Sequence, residues 1–217
     1  MDFIDSNIVK YAEDHTSAEP SYLYQLNRYT HSNLLKPRML SGHLQGRFLA
    51  LMSQLIKPDF ILDIGTYTGY SALCLAEGLS NNGRLYTIDH NDEVLAVAKD
   101  FFTKANMSDK ITALHGNAIE LIKQLNSQVP YWNIVWMDAE KADYINYYNL
   151  CIDKIAPGGL IMADNVLWSG KIIEQKELEK DKDTILLNEF NTMVQNDQRV
   201  ENILMPIRDG IMMIRKI

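Results

Sequence analysis

Cysteine is scarce: the 217 residues contain two, Cys74 and Cys151. Two isolated thiols with no redox or metal-ligand spacing exclude a disulfide framework and a cysteine-built zinc centre. Each sits in an apolar helical pattern, so both are expected as buried free thiols. The five histidines (His15, His31, His43, His90 and His115) are scattered, with no pair at ligand spacing, and read as structural. Positive charge is also short. Lys and Arg number 21 against 28 Asp and Glu, a net charge of −7. That argues against broad electrostatic binding to nucleic acid, which needs clustered cations to displace counterions. Arg28, Lys36 and Arg38 come nearest to a basic cluster and read as a solvated face. No uninterrupted apolar run is long enough to cross a membrane. Met1-Asp2-Phe3-Ile4-Asp5 lacks the basic region and apolar run of a secretory signal. A soluble, cytoplasmic protein is the expectation.

What is present is an alternation of short apolar strands and helices. Residues 1–40 read as helical segments punctuated by Pro20 and Pro37. Leu44, Phe48, Leu51, Met52 and Leu55 recur at helical spacing up to Ile56, before Pro58. Strands are then predicted at 60–64, 84–88, 111–114, 133–137 and 160–163. The helices between them are predicted at 71–79, 92–105, 118–125 and 144–155. This order implies a parallel sheet covered on both faces, in one domain over residues 1–217. Right-handed crossovers put the strand C-terminal ends along one edge. A helix at 184–195 precedes strands at 200–205 and 210–214, whose short connection makes them antiparallel. The charged stretch from Glu174 to Asp183 reads as an exposed helix or a loop.

Asp63-Ile64-Gly65-Thr66-Tyr67-Thr68-Gly69-Tyr70-Ser71 leaves the first strand and opens a helix, where an open α/β sheet binds a nucleotide-like ligand. A dinucleotide binder usually carries G-x-G-x-x-G there, so that bare backbone approaches a pyrophosphate. Thr66-Tyr67-Thr68 between the two glycines suits a cofactor without phosphates, such as S-adenosylmethionine. Asp89 ends the second strand, where a carboxylate can accept hydrogen bonds from both ribose hydroxyls; its competing role is a cap on the next helix.

Asp138 follows Ile134-Val135-Trp136-Met137, and Asp164-Asn165 follow Leu160-Ile161-Met162-Ala163. Two carboxylates and an amide oxygen at the cofactor edge suit a hard divalent cation, Mg²⁺ first, with Mn²⁺ or Ca²⁺ as alternatives. Capping of the following helices explains one Asp but not the adjacent Asp164-Asn165 pair. Lys141, three residues after Asp138, is expected to point into the same cleft. Between a cation and a sulfonium its pKa would be depressed, which suits a general base.

Three segments together carry a resemblance: Asp63 to Ser71, Met137-Asp138-Ala139-Glu140-Lys141-Ala142-Asp143-Tyr144, and Ala163-Asp164-Asn165-Val166-Leu167-Trp168-Ser169-Gly170. They resemble the cation-dependent O-methyltransferases, which include the catechol and caffeoyl-CoA enzymes. The likeness spans residues 38–217, with the closing Pro206-Ile207-Arg208-Asp209-Gly210. It implies a Rossmann-like, doubly wound seven-stranded sheet, mostly parallel with an antiparallel last strand, and helices on both faces. It implies cofactor contacts at Ser41, Asp63, Gly65, Thr66, Tyr67, Ser71, Asp89, Ala118 and Asp138. Metal ligands fall at Asp138, Asp164 and Asn165, catalytic roles at Lys141 and Asp138, and substrate contacts at Lys141 and Trp168. Ala118 departs from the hydroxyl residue of the catechol enzymes. Ala139-Glu140 follows the caffeoyl-CoA branch and its bacterial relatives. Residues 1–37 match no branch, and in this family that region helps choose the substrate.

The resemblance implies methylation of a phenolic vicinal diol by a homodimeric enzyme. A methyltransferase acting on a hydroxyuridine in tRNA, an NAD(P)-dependent oxidoreductase and a non-catalytic binding domain are the rivals. Net charge counts against the first, the missing middle glycine against the second, and the intact acids with Lys141 against the third.

Overall fold

From Phe60 onward the chain takes up the predicted alternation of strands and helices. The computed structural model describes residues 4–217, so part of the Met1–Asp5 stretch lies outside the described residues. The strands are β1 (Phe60–Ile64), β2 (Arg84–Asp89), β3 (Ile111–His115), β4 (Trp132–Met137), β5 (Ile155–Asp164), β6 (Val200–Met205) and β7 (Ile211–Lys216). They form one seven-stranded sheet in the order β3-β2-β1-β4-β5-β7-β6. Strands β1 to β5 pair in parallel, while β7 runs antiparallel to both β5 and β6. The expected mostly parallel sheet with an antiparallel final strand is what forms.

Helices α1 (Ser6–Asp14), α2 (Ser21–Asn33), α3 (Gly42–Ile56), α4 (Tyr70–Ala76), α5 (Asp92–Lys104), α6 (Ala118–Gln128), α7 (Tyr144–Cys151), α8 (Gln175–Lys180) and α9 (Lys182–Asn196) surround it. Local chemistry sets several ends. The Asn91 side chain accepts the Glu93 N–H (3.0 Å) and starts α5, and Asn117 does the same for α6 through Glu120 (3.2 Å). Lys57 turns left-handed (φ 53°) to end α3, just before Pro58.

Strand alternation sends side chains into two cores. Leu62, Ile64, Val135 and Met137 pack with Tyr144, Tyr148, Phe190 and Val194 of α7 and α9. Ile61, Ile134 and Trp136 pack with Leu49, Leu73 and Phe102 of α3, α4 and α5. Sandwiching strands between helical layers explains their continuous apolar sequences. Cys74 and Cys151 are free and buried, as expected.

Several boundaries differ from expectation, α6 for one running on to Gln128. The first Rossmann helix begins at Tyr70 and stops at Ala76, because the backbone at Gly78 packs directly against the Ser53 peptide. The helix expected to reach Ile155 stops at Cys151, and a 3-10 turn covers Ile152–Lys154. Strand β5 therefore starts at Ile155 and runs through Pro157-Gly158-Gly159, a turn-like triplet. The β4–β5 register shifts between Trp132 and Ile134, which accommodates it. The charged stretch after Glu174 contains the exposed helix α8.

Chain order runs outward from β1 through β2 to β3, then returns to β4 on the other side of β1. The C-terminal ends of β1 and β4 thus meet at the topological switch point, where open α/β sheets bind ligands.

Candidate active site

Every functional residue expected from the strands lies at that edge. The Gly65 and Thr66 N–H groups both donate to the Ile88 carbonyl (2.9 and 3.1 Å), which folds the loop over the end of β2. Gly65 has φ 105°, and a Cβ there would collide with the Asp138 carbonyl, so only glycine fits between the β1 and β4 ends. The Asp138 N–H donates to the Ile64 carbonyl (2.8 Å), so the glycine loop and the first acidic residue are directly joined.

Asp89 is held by two backbone donors, Tyr67 N–H (2.7 Å) and Asn91 N–H (2.9 Å). The cap of α5 is Asn91 rather than Asp89, so capping does not account for this carboxylate. The Tyr67 hydroxyl donates to the Lys36 carbonyl (3.1 Å), tying the loop to the N-terminal segment.

Three expected cofactor residues face inward. Asp63 is fully buried; its oxygens accept from Ser71 Oγ (3.2 Å) and Thr87 Oγ1 (2.5 Å). Thr66 Oγ1 lies 2.5 Å from Thr87 Oγ1. Burial, reinforced by the charges of Asp138 and Asp89, pushes the Asp63 carboxyl up to about 7 against the pull of those hydroxyls. The Thr66 and Ser71 hydroxyls therefore brace the loop from beneath. Ala118 opens α6, where the neighbouring Gly116 N–H bonds the Asp89 carbonyl (3.0 Å).

Across the switch point the acids gather. Lys141 Nζ donates to Asp138 Oδ1 (3.0 Å) and to the Tyr144 hydroxyl (2.9 Å). Tyr144, fully buried, lies 3.0 Å from the carbonyls of both Met137 and Asp164, so one hydroxyl spans the ends of β4 and β5. Asp164 accepts from Gln45 Nε2 (2.7 Å) and from the Asn165 N–H (2.8 Å). Burial, then the nearby Asp138 charge, raises the Asp164 carboxyl to about 7. Asn165 is left-handed (φ 59°) at the start of the turn leading to Trp168.

Lys141 departs from expectation. Burial alone would depress its ammonium, but Tyr144, Asp138 and Asp164 around it win, so the chain's own groups raise its pKa. The expected depression depends on positive charges that these side chains do not supply. Among the described residues, no group of three or more His, Cys, Asp or Glu side chains gathers as a metal cage. The predicted donor set is two carboxylates and an amide.

Trp168 stands on a strained turn. Trp168 (φ 46°), Ser169 (φ 54°) and Gly170 (φ 79°) are all left-handed. The indole Nε1–H donates to Asp181 Oδ2 (3.2 Å), which also accepts from Lys171 Nζ (3.3 Å) and Thr184 Oγ1 (2.5 Å). The Ser169 N–H donates to Asp209 in the β6–β7 turn. Ser41 precedes α3, and its carbonyl accepts from Arg208.

Sequence reading missed Gln45, Thr87, Tyr144, Asp181 and Arg208. Tyr144 carried a signal, three residues after Lys141 beside a strand end, and Arg208 lay within the quoted Pro206–Gly210 segment without a role assigned to it.

Comparison with known proteins fits this geometry. The family model described as O-methyltransferase matches residues 13–217. The caffeoyl-CoA O-methyltransferase 2 of Eucalyptus globulus is 33% identical over 182 residues, covering 80% of this chain and 73% of that relative. The probable caffeoyl-CoA O-methyltransferase 2 of Dictyostelium discoideum is 30% identical over 215 residues, covering 98% and 93%. In fold, an O-methyltransferase from Bacillus cereus, crystallised with SAH, superposes with a TM-score of 0.89 at 24% identity, covering 97% of each chain. The family match spans both the glycine loop and the acidic cluster, and the chain belongs to the O-methyltransferase family.

Proposed function

We propose that this enzyme moves a methyl group from S-adenosylmethionine to one hydroxyl of a catechol-like or caffeoyl-type vicinal diol, with a divalent cation at Asp138, Asp164 and Asn165. The observation that carries the reading is the convergence of Asp138, Asp164 and Lys141 at the strand edge that also bears the glycine loop. The names of the caffeoyl-CoA relatives support the acceptor class. The donor is supported by fold neighbours crystallised with SAH or, for a Streptomyces achromogenes O-methyltransferase, with SAM.

The residues present fit a hard cation. The buried Asp164 carboxyl lies close enough to Asp138 to feel its charge, and a third oxygen donor, Asn165, follows Asp164 directly in sequence. Mg²⁺ is the first expectation and Mn²⁺ or Ca²⁺ the alternatives. Such an ion supplies charge that lowers the pKa of an acceptor hydroxyl and fixes its direction.

The chain's own groups do the rest. Asp89, held by two backbone N–H groups, offers its free lone pairs to the ribose hydroxyls. Gly65, closed against the Asp138 carbonyl, sets the path of the loop, while Ser41, Tyr67 and Ala118 border that ligand and Asp63 braces the loop. With a cation and a sulfonium beside it to offset the acids that raise its pKa, Lys141 Nζ would be neutral and would accept the acceptor proton, and Asp138 keeps that amine aimed at the cleft. Trp168 offers an apolar wall for an aromatic acceptor. Holding the two reactants in line supplies much of the acceleration. A homodimer belongs to the same reading, with the exposed Leu51 and Leu55 of α3 in its favour.

The test is a methyl-transfer panel of catechol, caffeate, caffeoyl-CoA, a flavonoid and tRNA, with Mg²⁺ and with EDTA. Methylation of a vicinal diol, lost in EDTA and restored by Mg²⁺, is expected. Full activity in chelator would remove the cation, and tRNA as the sole acceptor would replace the substrate class. Lys141→Met is expected to lower kcat by roughly 10²- to 10⁴-fold with unchanged S-adenosylmethionine affinity. Unaltered turnover in that variant removes Lys141 as the base.

A further inference from the structure

Gln45 lies in α3 and is fully buried, yet both ends of its amide are engaged. Nε2 donates to Asp164 Oδ2 (2.7 Å), and Oε1 accepts from Arg208 Nη1 (2.8 Å). These partners decide the orientation of the amide. A flipped amide would set its NH₂ against a guanidinium and its carbonyl against a carboxylate. Arg208 is tethered in turn. Its Nη1 also donates to the carbonyls of Leu40 (3.1 Å) and Ser41, and its backbone is left-handed (φ 51°) in the turn between β6 and β7. The second oxygen of Asp164 accepts the Asn165 N–H (2.8 Å). Both oxygens therefore carry a protein hydrogen bond, one from the next residue and one from a residue 119 positions away.

We propose that Gln45, oriented by Arg208, is a positioning residue that fixes how Asp164 meets the cation and so selects which cation binds. A carboxylate clamped at both oxygens cannot swivel between one-oxygen and two-oxygen coordination without losing a hydrogen bond. That restriction favours Mg²⁺ or Mn²⁺, which demand near-octahedral geometry, over Ca²⁺, which readily takes both oxygens of a carboxylate. The inference rests on the cation reading above. It also gives Arg208 a task beside that of Asp209, which holds the Ser169 N–H next to Trp168 from the same turn.

The experiment is calorimetric titration of Mn²⁺ and of Ca²⁺ into wild type, Gln45→Leu, Arg208→Met and Ser53→Ala. Ser53 is a buried residue of the same helix that bonds the Leu75 carbonyl and serves as a stability control. Gln45→Leu is expected to lose about ten- to a hundredfold in Mn²⁺ affinity, as supporting-residue changes typically do. Its Ca²⁺ affinity should fall less, so the Mn²⁺/Ca²⁺ ratio narrows, and Arg208→Met should shift the ratio in the same direction. Ser53→Ala should keep the wild-type ratio. Wild-type Mn²⁺ affinity and ratio in both Gln45→Leu and Arg208→Met would overturn the assignment. A shift of equal size in Ser53→Ala would also overturn it. Wild type that binds no Mn²⁺ would instead bring down the cation reading itself.

Discussion

Around β1 and β2, the hydrogen bonds linking Asp63, Thr66, Tyr67, Ser71, Thr87 and Asp89 join residues 8 to 24 positions apart. Around β4 and β5, short bonds through Lys141, Tyr144 and Asn165 are joined by two that reach much further: Gln45 to Asp164 spans 119 positions, and Arg208 to Gln45 spans 163. The first half is built by one strand-loop-helix-strand unit that carries its own braces. The second is assembled when α3, the end of β5 and the β6–β7 turn arrive together. A local unit can be preorganised early, because closing a short loop costs little entropy. The acidic half depends on the completed sheet.

The sharpest way to break that division is at the seam, where Gly65 touches Asp138. Gly65→Ala forces a Cβ into the Asp138 carbonyl at φ 105°. A stability loss of about 2–5 kcal/mol is expected, from combined strain and overpacking. S-adenosylmethionine binding should disappear as well. Urea denaturation and calorimetry check it; a variant with native stability would show that the two halves are not tightly joined there.

Tyr144→Phe probes the acidic half alone. It removes the hydroxyl shared by Lys141 Nζ and the carbonyls of Met137 and Asp164. A cost of about 1–3 kcal/mol is expected for leaving buried polar partners unmatched. S-adenosylmethionine affinity should hold, because the glycine loop does not use that hydroxyl. A loss of cofactor affinity as large as the loss of stability would contradict two separately braced halves.

The most gradual effect, small at any single step in pH, belongs to the local half. Asp63 is raised to about 7 in the folded chain, against an ordinary value of about 4. Between those values the folded state keeps a proton that the unfolded chain has released. Stability from this group therefore falls as pH rises through the window. Asp63→Asn abolishes that titration, so its stability should decline less steeply with pH, by up to about 1.4 kcal/mol per pH unit. Denaturation curves from roughly pH 4.5 to 6.5 measure the two slopes. Equal slopes would mean that Asp63 stays ionised.

The difference between the halves also explains what could be read in advance. The glycine loop, Asp89, Asp138 and Asp164-Asn165 announce themselves because each follows an apolar strand, and period and position are local properties of a chain. Gln45 gave no such sign: one amide within an amphipathic helix looks like any half-exposed polar residue. Asp181 lies in a charged stretch, where a solvated role is the ordinary reading, and Arg208 lies in a turn whose side-chain partners are set only by the fold. The early start of β5 was hidden by Pro157-Gly158-Gly159, a triplet that bulges out of the β4 ladder between Ile155 and Leu160. The direction of the Lys141 shift was hidden too, because it depends on Tyr144 and Asp164 closing around the amine.

By itself the sequence determined the order of strands and helices along the chain, the common edge of the strand C-terminal ends, and the acidic residues at two strand ends. Apolar patterning and chain chirality suffice for these, since both act over a few residues or one crossover. Only the tertiary structure decided how those acids are held. Buried polar groups must find partners wherever the fold brings them, and here the partners of Asp164 and Lys141 come from α3, α7 and, through Gln45, the β6–β7 turn.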